Sequence, residues 1–449
     1  MPRLEKSYPT FDCDSHVTEL PEIWDYLSEK EKEIVRPCFW PNGPWVILNG
    51  NTLTHGYWDY GHVGYLLGGD TTLRRGPSAV ESTGPGVNKL LIRKLREMRL
   101  TEEQCEYTDH KGARDPRSRL VEMDQQGIDQ VMVIPLMMMQ AFLYVENAFA
   151  ASLVARAYND WIYDWCSVDR ERLYPCAALP SQNPVLAAEE VRRVATRGFK
   201  IVGLRAALIH GLYPNQPIFE PLWQALEETG IVAGMHSLPQ QDPDRIQSFG
   251  TASRPPSILD RAIGSRQIQG GGQTLGFAHM AMTWMANALL SGFFERHPGL
   301  TRMAIMESNA SWLPMLLEEC DRAFDLYKGV RNPRVSRRPS EVFFERCFIA
   351  FEGDETPVYK QYPYFEDVGI WSSDVYHHDG ADAWSAIRDM EQTGVPIEAQ
   401  AKLMGGNARR MYGIEPRMVT TMEPEAYPRP DWYPKMEDVE KEYAHLLRT

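Results

Sequence analysis

The stretch Phe199–His236, FKIVGLRAALIHGLYPNQPIFEPLWQALEETGIVAGMH, is the clearest guide to the fold of this chain. An apolar run predicts a strand at Phe199–Arg205, a helical pattern follows at Ile218–Thr229, and a second strand is predicted at Ile231–His236. Two strands joined by a helix usually lie parallel, with a right-handed crossover. The stretch therefore predicts one strand–helix–strand unit of an α/β protein.

The same alternation recurs along most of the chain. Further strands are predicted at Thr10–His16, Gln130–Pro135, Leu173–Leu179, Thr301–Glu307, Arg346–Phe351 and Asp367–Asp374. Further helices are predicted at Glu146–Val168, Val185–Thr196, Met280–Arg296, Ser311–Tyr327 and Ala381–Gln392. Eight strands alternating with helices predict an α/β fold of the (β/α)₈ TIM-barrel type. The alternative, a doubly wound open sheet, requires a glycine-rich turn after an early strand. The run Gly270–Gly272 follows no predicted strand, and we interpret it as a loop.

Two regions interrupt or extend the alternation. Residues 37–114 are rich in Gly, Pro, Trp and Tyr and have a helical pattern only near Val87–Met98. We interpret them as a long insertion after strand 1, serving either as a lid over the catalytic face or as an oligomer contact. Residues 414–449 are interpreted as a C-terminal arm on the barrel or on a neighbouring subunit. The prediction is one barrel domain over 1–413, followed by this arm.

The amino-acid composition of the chain excludes some classes of binding partner. The 449 residues include 61 acidic and 47 basic side chains, for a net charge of −14. Such a chain repels phosphate backbones and anionic lipid surfaces, so nucleic-acid and membrane partners are not expected. The apolar run Val131–Met139 is too short to span a bilayer. Seven scattered cysteines without CxxC spacing are typical of reduced thiols, and a cytoplasmic enzyme is predicted.

Polar side chains gather where the predicted strands end. In Asp12-Cys-Asp-Ser-His16, strand alternation places Asp12, Asp14 and His16 on one face. His236, Glu307 and Asp374 end later strands. Catalytic groups of barrels lie at this end of the strands, and buried carboxylates need a cation or a partner. Taken alone, each residue has a structural alternative to metal binding: it could be a helix cap, a core histidine or part of a salt bridge. Together they predict a metal site.

Six segments resemble the amidohydrolase superfamily, in the branch of 2-amino-3-carboxymuconate-semialdehyde decarboxylase and the metal-dependent aromatic acid decarboxylases. They are DCDSHVTE (12–19), GFKIVGLR (198–205), GMHS (234–237), SGFFERHPGLTRMAIMESNASWLP (291–314), WSSDVYHHDG (371–380) and GGNARRMYGI (405–414). The resemblance implies a divalent metal bound by Asp14, His16, His236 and Asp374. Position 14 is Asp where the hydrolases have His and the aromatic decarboxylases often have Glu. Position 307 is Glu where the decarboxylases have His.

The extra carboxylates favour Mn or Fe relative to Zn, although Zn stays compatible with the ligands. Glu307, near the metal in a dry pocket, is expected to act as a general acid/base. The resemblance implies a catalytic role in the pocket for His279, which we expect at the start of the helix after strand 5. Arg205 and His378 are expected to bind substrate. We expect one of two roles for Glu19, Glu307 and His377: they bind a second metal, or they contact the metal ligands and orient them.

The resemblance implies hydrolysis, or non-oxidative C–C cleavage such as decarboxylation, of a small organic acid, aromatic acids included. One alternative is an oxygen-activating monooxygenase with a dinuclear Fe or Fe/Mn centre on the same barrel. Another is a non-catalytic partner subunit of a related enzyme. A homo-oligomer, specifically a dimer, is expected, with a paralogous subunit as the alternative.

Overall fold

A computed structural model describes most of the chain. The described residues are 3–19, 21–35, 47–48, 51–52, 89–98, 100–101, 104, 111–135, 147–209, 211–237, 269–328, 334–376, 380–427 and 429–445. Most of the predicted insertion 37–114 lies outside them, and so do His377 and His378.

Eight parallel strands form one sheet, and each strand pairs with the next one along the chain. They are β1 (Phe11–Val17), β2 (Gln130–Pro135), β3 (Leu173–Ala178), β4 (Ile201–Arg205), β5 (Val232–His236), β6 (Met303–Met306), β7 (Cys347–Glu352) and β8 (Gly369–Ser372). A separate antiparallel pair joins Ile47–Leu48 to Asn51–Thr52.

The sheet closes on itself just beyond β8. Ser15 and Val375 form a parallel bridge, and the backbone amide of His16 donates to the carbonyl of Val375 at 2.5 Å. The amide of Asp374 donates to the carbonyl of Asp14 at 3.1 Å. The prediction of a (β/α)₈ barrel is therefore confirmed, and the open-sheet alternative is wrong.

Helices follow the strands around the outside. They are α1 (Glu29–Val35), α2 (Lys89–Glu97), α3 (Pro116–Gln126), α4 (Ala148–Trp165), α5 (Pro184–Thr196), α6 (Glu220–Thr229), α7 (Gln269–Leu290), α8 (Phe293–Arg296), α9 (Leu313–Tyr327), α10 (Pro339–Arg346), α11 (Thr356–Lys360), α12 (Tyr362–Phe365), α13 (Ala383–Thr393), α14 (Ile397–Ala401), α15 (Asn407–Tyr412) and α16 (Met436–Glu442). One prediction is corrected here: Gly270–Gly272 belongs to α7 and is not a loop. Local pattern missed this start because glycine is a weak helix former.

Helix boundaries follow the expected end signals. Helix α5 begins after Asn183, whose side chain accepts from the amides of Val185 and Leu186, and Pro184 occupies the first helical position. Helix α3 ends at Gly127, which has φ of 75°. A Cβ at Gly127 would lie 2.6 Å from the Trp384 ring, so both backbone and packing require glycine there.

The core has two layers, as a barrel requires. Along β2, Met132 and Ile134 pack inside the barrel, whereas Val131 and Val133 pack against the surrounding helices. Strands buried on both faces read as continuous apolar runs, which is why the strand prediction succeeded from hydropathy.

The C-terminal region contacts the N-terminal end of the barrel. The carboxylate of Asp129 accepts from the amides of Val419 and Thr420, and the amide of Lys6 donates to the carbonyl of Thr421. Farther on, α16 packs on α2, and Lys94 pairs with Glu442 at 2.7 Å. The domain boundaries 1–413 and 414–449 stay a prediction. Among the described residues, no helix is both long and apolar enough to cross a membrane.

Candidate metal centre

Asp14, His16 and His236 bring three buried ligand atoms together at the carboxyl ends of β1 and β5. These atoms lie within 4.8 Å of one another. The Nε2 of His16 is 3.5 Å from Asp14 Oδ1, and the Nε2 of His236 is 3.6 Å from Asp14 Oδ2. Strand β5 ends at His236, so the sequence position predicted for this histidine is correct.

A second group shares His16 with the first. Ligand atoms of His16, Glu307 and Asp374 also lie within 4.8 Å of one another, and His16 Nε2 is 3.3 Å from Asp374 Oδ1. Glu307 and Asp374 each follow a strand and each have φ of 51°. A non-glycine residue in this region is strained and usually persists at functional sites, where its surroundings enforce it.

The hydrogen bonding of His236 tests whether these residues suit a cation. Its Nδ1 lies 2.9 Å from the carbonyl oxygen of Ser237, which can only accept, so Nδ1 bears the hydrogen. Its Nε2 faces the Asp14 carboxylate. A cation between the two groups satisfies both, and the set of imidazoles and carboxylates suits Mn²⁺, Fe²⁺ or Zn²⁺.

Asp12 is placed differently from the prediction. The pairing of β1 with β2 is irregular between Asp12 and Ser15, so simple alternation fails there. Asp12 accepts from the amide of Ser373 at 2.9 Å, from the Ser373 hydroxyl at 2.5 Å and from the amide of Asp14 at 3.2 Å. Burial raises the pKa of Asp12 to about 7. Asp12 ties the ends of β1 and β8 together and belongs to neither ligand group of the described residues.

Arg119, which the sequence analysis did not single out, supports the end of β1 from behind. Its buried guanidinium donates to the Ser15 hydroxyl at 3.0 Å, to the His16 carbonyl and to the Gly112 carbonyl at 2.7 Å. It also lies 4.7 Å from the centre of the Tyr376 ring. An arginine within the polar pattern of α3 has no sequence signal that separates it from a surface arginine.

The remaining predicted site residues fall in several places. Arg205 ends β4, is buried, and pairs in register with His236. Glu19 is buried just beyond β1 and joins neither ligand group found in the described part of the chain. His279 lies within α7, with its side chain exposed, so its predicted place at the helix start is wrong. His377 and His378 lie outside the described residues. The roles of all five stay predictions.

Comparison with known proteins matches the amidohydrolase family over residues 11–414. A gamma-resorcylate decarboxylase of Rhodococcus jostii is 25% identical over 250 residues, which are 53% of this chain and 68% of that protein. The crystal structure of an amidohydrolase from Mycobacterium avium subsp. paratuberculosis has a TM-score of 0.66 and 19% identity, covering 91% of this chain and all of that one.

A dihydroxybenzoic acid decarboxylase from Polaromonas, solved with bound manganese and 2-nitroresorcinol, has a TM-score of 0.54 and 16% identity. The alignment covers 90% of this chain and 97% of that chain. In the described part of this chain, Asp14, His16 and His236 form a group that could hold a metal ion.

A family match over most of the chain, the barrel and the ligand groups at its carboxyl end agree with one another. The prediction of an amidohydrolase-related enzyme is confirmed. The chain belongs to the amidohydrolase family.

Proposed function

We propose that this enzyme catalyses metal-dependent, non-oxidative decarboxylation of an aromatic acid. The observation that carries the proposal is the placement of Glu307 beside His16 and Asp374, next to the group of Asp14, His16 and His236. The similarity to a gamma-resorcylate decarboxylase and to a dihydroxybenzoic acid decarboxylase supports the same reaction class.

Asp14, His16, His236 and Asp374 are the residues that would hold the metal. A divalent cation supplies Lewis-acid polarisation of carboxylate and phenolic oxygens. The four side chains project from the ends of β1, β5 and β8, which a closed barrel brings to one rim. A backbone hydrogen bond joins Asp14 to Asp374, which supports a site whose shape does not depend on substrate.

Arg205 is proposed to bind the carboxylate of the substrate. It ends the strand beside β5, and its guanidinium suits planar, bidentate recognition of a carboxylate. Glu307 in its protonated form is proposed as the general acid. The bond between the ring carbon and the carboxyl carbon breaks, its electron pair stays on the ring carbon, and CO₂ leaves. The proton of Glu307 forms the new C–H bond, and solvent reprotonates the carboxylate.

The variant Glu307→Gln tests this proposal. The amide keeps the shape of the side chain but has no acidic proton. We therefore expect turnover of gamma-resorcylate, which is 2,6-dihydroxybenzoate, to fall by about 10²–10⁴-fold. CO₂ release and manganese content are measured together, with Glu318→Gln on the exposed face of α9 as the control. Unchanged turnover refutes the acid role, and loss of manganese identifies Glu307 as a ligand.

A dinuclear oxygen-activating centre is the second candidate. The observation in its favour is that two ligand groups share His16 and together contain three carboxylates. Metal analysis of the wild-type enzyme separates the two. About one metal per chain, with CO₂ release that does not depend on O₂, supports decarboxylation; two Fe or Mn per chain with O₂ consumption contradicts it.

We also propose a cytoplasmic homodimer acting on a small-molecule acid. The five described free cysteines are all buried, which fits a reducing compartment. Light scattering of the purified protein tests the assembly, because the mass of one chain would contradict a dimer. Co-purification of a paralogous chain would favour the hetero-oligomer instead.

A further inference from the structure

The turn that bears Glu307 contains two residues with positive φ. Glu307 follows β6 directly with φ of 51°, and Asn309 has φ of 54°. Asparagine tolerates this region, whereas glutamate does not, so the conformation of Glu307 is unfavourable for an isolated chain. A turn of this kind keeps its shape only when contacts outside it hold it there. The placement of the Glu307 carboxyl therefore depends on those contacts.

One buried carboxylate on the neighbouring loop bonds to the two residues that follow Asn309. Glu355 Oε1 accepts from the amide of Ala310 at 2.8 Å, from the amide of Ser311 at 2.7 Å and from the Ser311 hydroxyl at 2.5 Å. Its Oε2 lies 3.1 Å from the amide of Ala310. Glu355 is only 6% exposed. Charge-assisted bonds of this kind are strong when water is excluded.

Glu355 is itself firmly placed. Its amide donates to the carbonyl of Glu352, the last residue of β7, and its carbonyl accepts from the amide of Val358 in α11. It therefore transmits the position of β7 to the turn after β6. Burial raises the pKa of Glu355, whereas the bonds from Ser311 and Ala310 act in the opposite direction.

Glu355 is separate from the ligand groups. It belongs to neither of the two groups found among the described residues, so its effect on the site must pass through the turn. We propose that Glu355 is a positioning residue for Glu307, fixing the 307–312 turn and hence the place of the Glu307 carboxyl relative to His16 and Asp374. The catalytic part of this inference rests on the proposed role of Glu307.

The loop that enters β6 offers a matched control. Glu227 on α6 accepts from the amide of Gly299 at 2.7 Å and contacts Nδ1 of His297 at 3.1 Å. It thus holds the loop at the opposite end of the same strand with the same chemistry. Glu227→Ala removes a loop-holding carboxylate without touching the turn that bears Glu307.

The experiment compares Glu355→Ala, Glu355→Gln and Glu227→Ala in the metal-loaded enzyme. For Glu355→Ala we expect kcat to fall by about 10–100-fold with KM within about threefold, because misplacing an acid by a fraction of an ångström affects the reacting step most. Glu355→Gln should recover kcat to within about threefold of wild type, since its carbonyl oxygen has two lone pairs and can still accept from the amides of Ala310 and Ser311. Glu227→Ala should leave kcat unchanged.

Two readouts do not depend on catalysis. In Glu355→Ala the backbone amides of residues 308–312 should exchange hydrogen at least tenfold faster than in the wild-type protein. In Glu227→Ala the same amides should exchange at the wild-type rate. We expect the visible spectrum of the Co²⁺-substituted protein to change in both Glu307→Gln and Glu355→Ala, and in the same direction. A wild-type spectrum and wild-type exchange in Glu355→Ala overturn the inference even if the enzyme proves not to be a decarboxylase.

The outcome for Glu227→Ala settles whether the effect is local. If it lowers kcat as much as Glu355→Ala at equal thermal stability, the effect is general loosening of β6, and the inference is overturned. If Glu355→Ala does not fold, Ser311→Ala replaces it, because it removes only the 2.5 Å bond. That variant should show a smaller fall in kcat in the same direction, and a wild-type kcat would refute the proposal.

Discussion

The backbone amide of Asp374 donates to the backbone carbonyl of Asp14 across 3.1 Å, so two candidate metal ligands from opposite ends of the sequence meet where the barrel closes. Ser372 adds a bond from its hydroxyl to the same carbonyl at 3.4 Å. The seam that closes the sheet therefore also brings Asp14 and Asp374 together. A change that opens this seam is expected to affect metal binding before it affects the rest of the fold.

Asp374→Asn is expected to lower manganese affinity by at least about tenfold, because the carboxylate charge beside His16 is removed. Asparagine tolerates positive φ, so the backbone at φ 51° should persist, with Tm changed by less than about 2 °C. Calorimetric titration with Mn²⁺ measures the affinity, with Asp389→Asn on α13 as the control. Wild-type affinity in Asp374→Asn would place the metal elsewhere.

Arg205→Lys is expected to raise KM for an aromatic carboxylate by about tenfold while kcat changes less, since lysine keeps the charge but not the bidentate geometry. Steady-state kinetics measure both constants. Arg192→Lys, at an exposed pair with Glu228, should change neither. A fall in kcat with unchanged KM would exclude a role in holding the substrate carboxylate.

Asp129→Ala is expected to destabilise the fold without affecting the metal. Asp129 pairs with buried Lys6 and accepts from the amides of Thr10, Val419 and Thr420. The side chains of Lys6 and Asp129 are both fully buried, and this burial lowers the pKa of Lys6. Removing one member of such a pair reduces the free energy of unfolding by about 3–5 kcal/mol.

Urea denaturation measures that loss, and manganese content should stay at the wild-type value because Asp129 precedes β2 and lies at the opposite end of the barrel from the ligands. Combining Lys6→Met with Asp129→Leu should recover part of the stability, since neither charge is then buried alone. A double variant less stable than Asp129→Ala would contradict this explanation.

The contribution of Asp389 to the free energy of unfolding is expected to depend on pH. Burial and then the neighbouring Asp354 raise the pKa of Asp389. A carboxyl whose pKa is raised on folding favours the folded state below its unfolded pKa, roughly pH 4, and loses that contribution as pH rises through the folded pKa. Asp389→Asn should therefore raise Tm by about 1–2 °C at pH 8 and have no effect near pH 4. Differential scanning calorimetry at both pH values measures this, and a variant less stable at pH 8 would contradict it.

The strands were predictable because each is buried on both faces. Gln130–Pro135 is a strand over the predicted residues, and the strand predicted at Ile231–His236 runs from Val232 to His236. Period and hydropathy alone identify such segments. Helix α7 was predicted too short because its first turn contains three glycines, whose low helix propensity is overcome by the rest of the helix.

The polar residues behind the ligands were not predictable in the same way. Asp12 bonds to Ser373, which is far along the chain, and Glu355 bonds to Ala310 and Ser311 on another loop. Strand alternation wrongly assigned Asp12 to the face of the metal ligands, and no local pattern distinguishes Glu355 from a solvent-exposed acid. Their importance arises from burial, which only the packed structure creates.

By itself the sequence determined the barrel and the strand ends at which Asp14, His16, His236, Glu307 and Asp374 lie, because parallel strands bring their carboxyl ends to one rim. The tertiary structure alone decided which of these side chains meet. It placed His16 between the two ligand groups, turned Asp12 away to Ser373, and set Glu355 against the turn that bears Glu307. The periodicity of apolar residues is a property of residues that are neighbours in the chain. A β-bulge, the closure of the barrel between β1 and β8, and a buried hydrogen bond depend on residues that are distant in the chain.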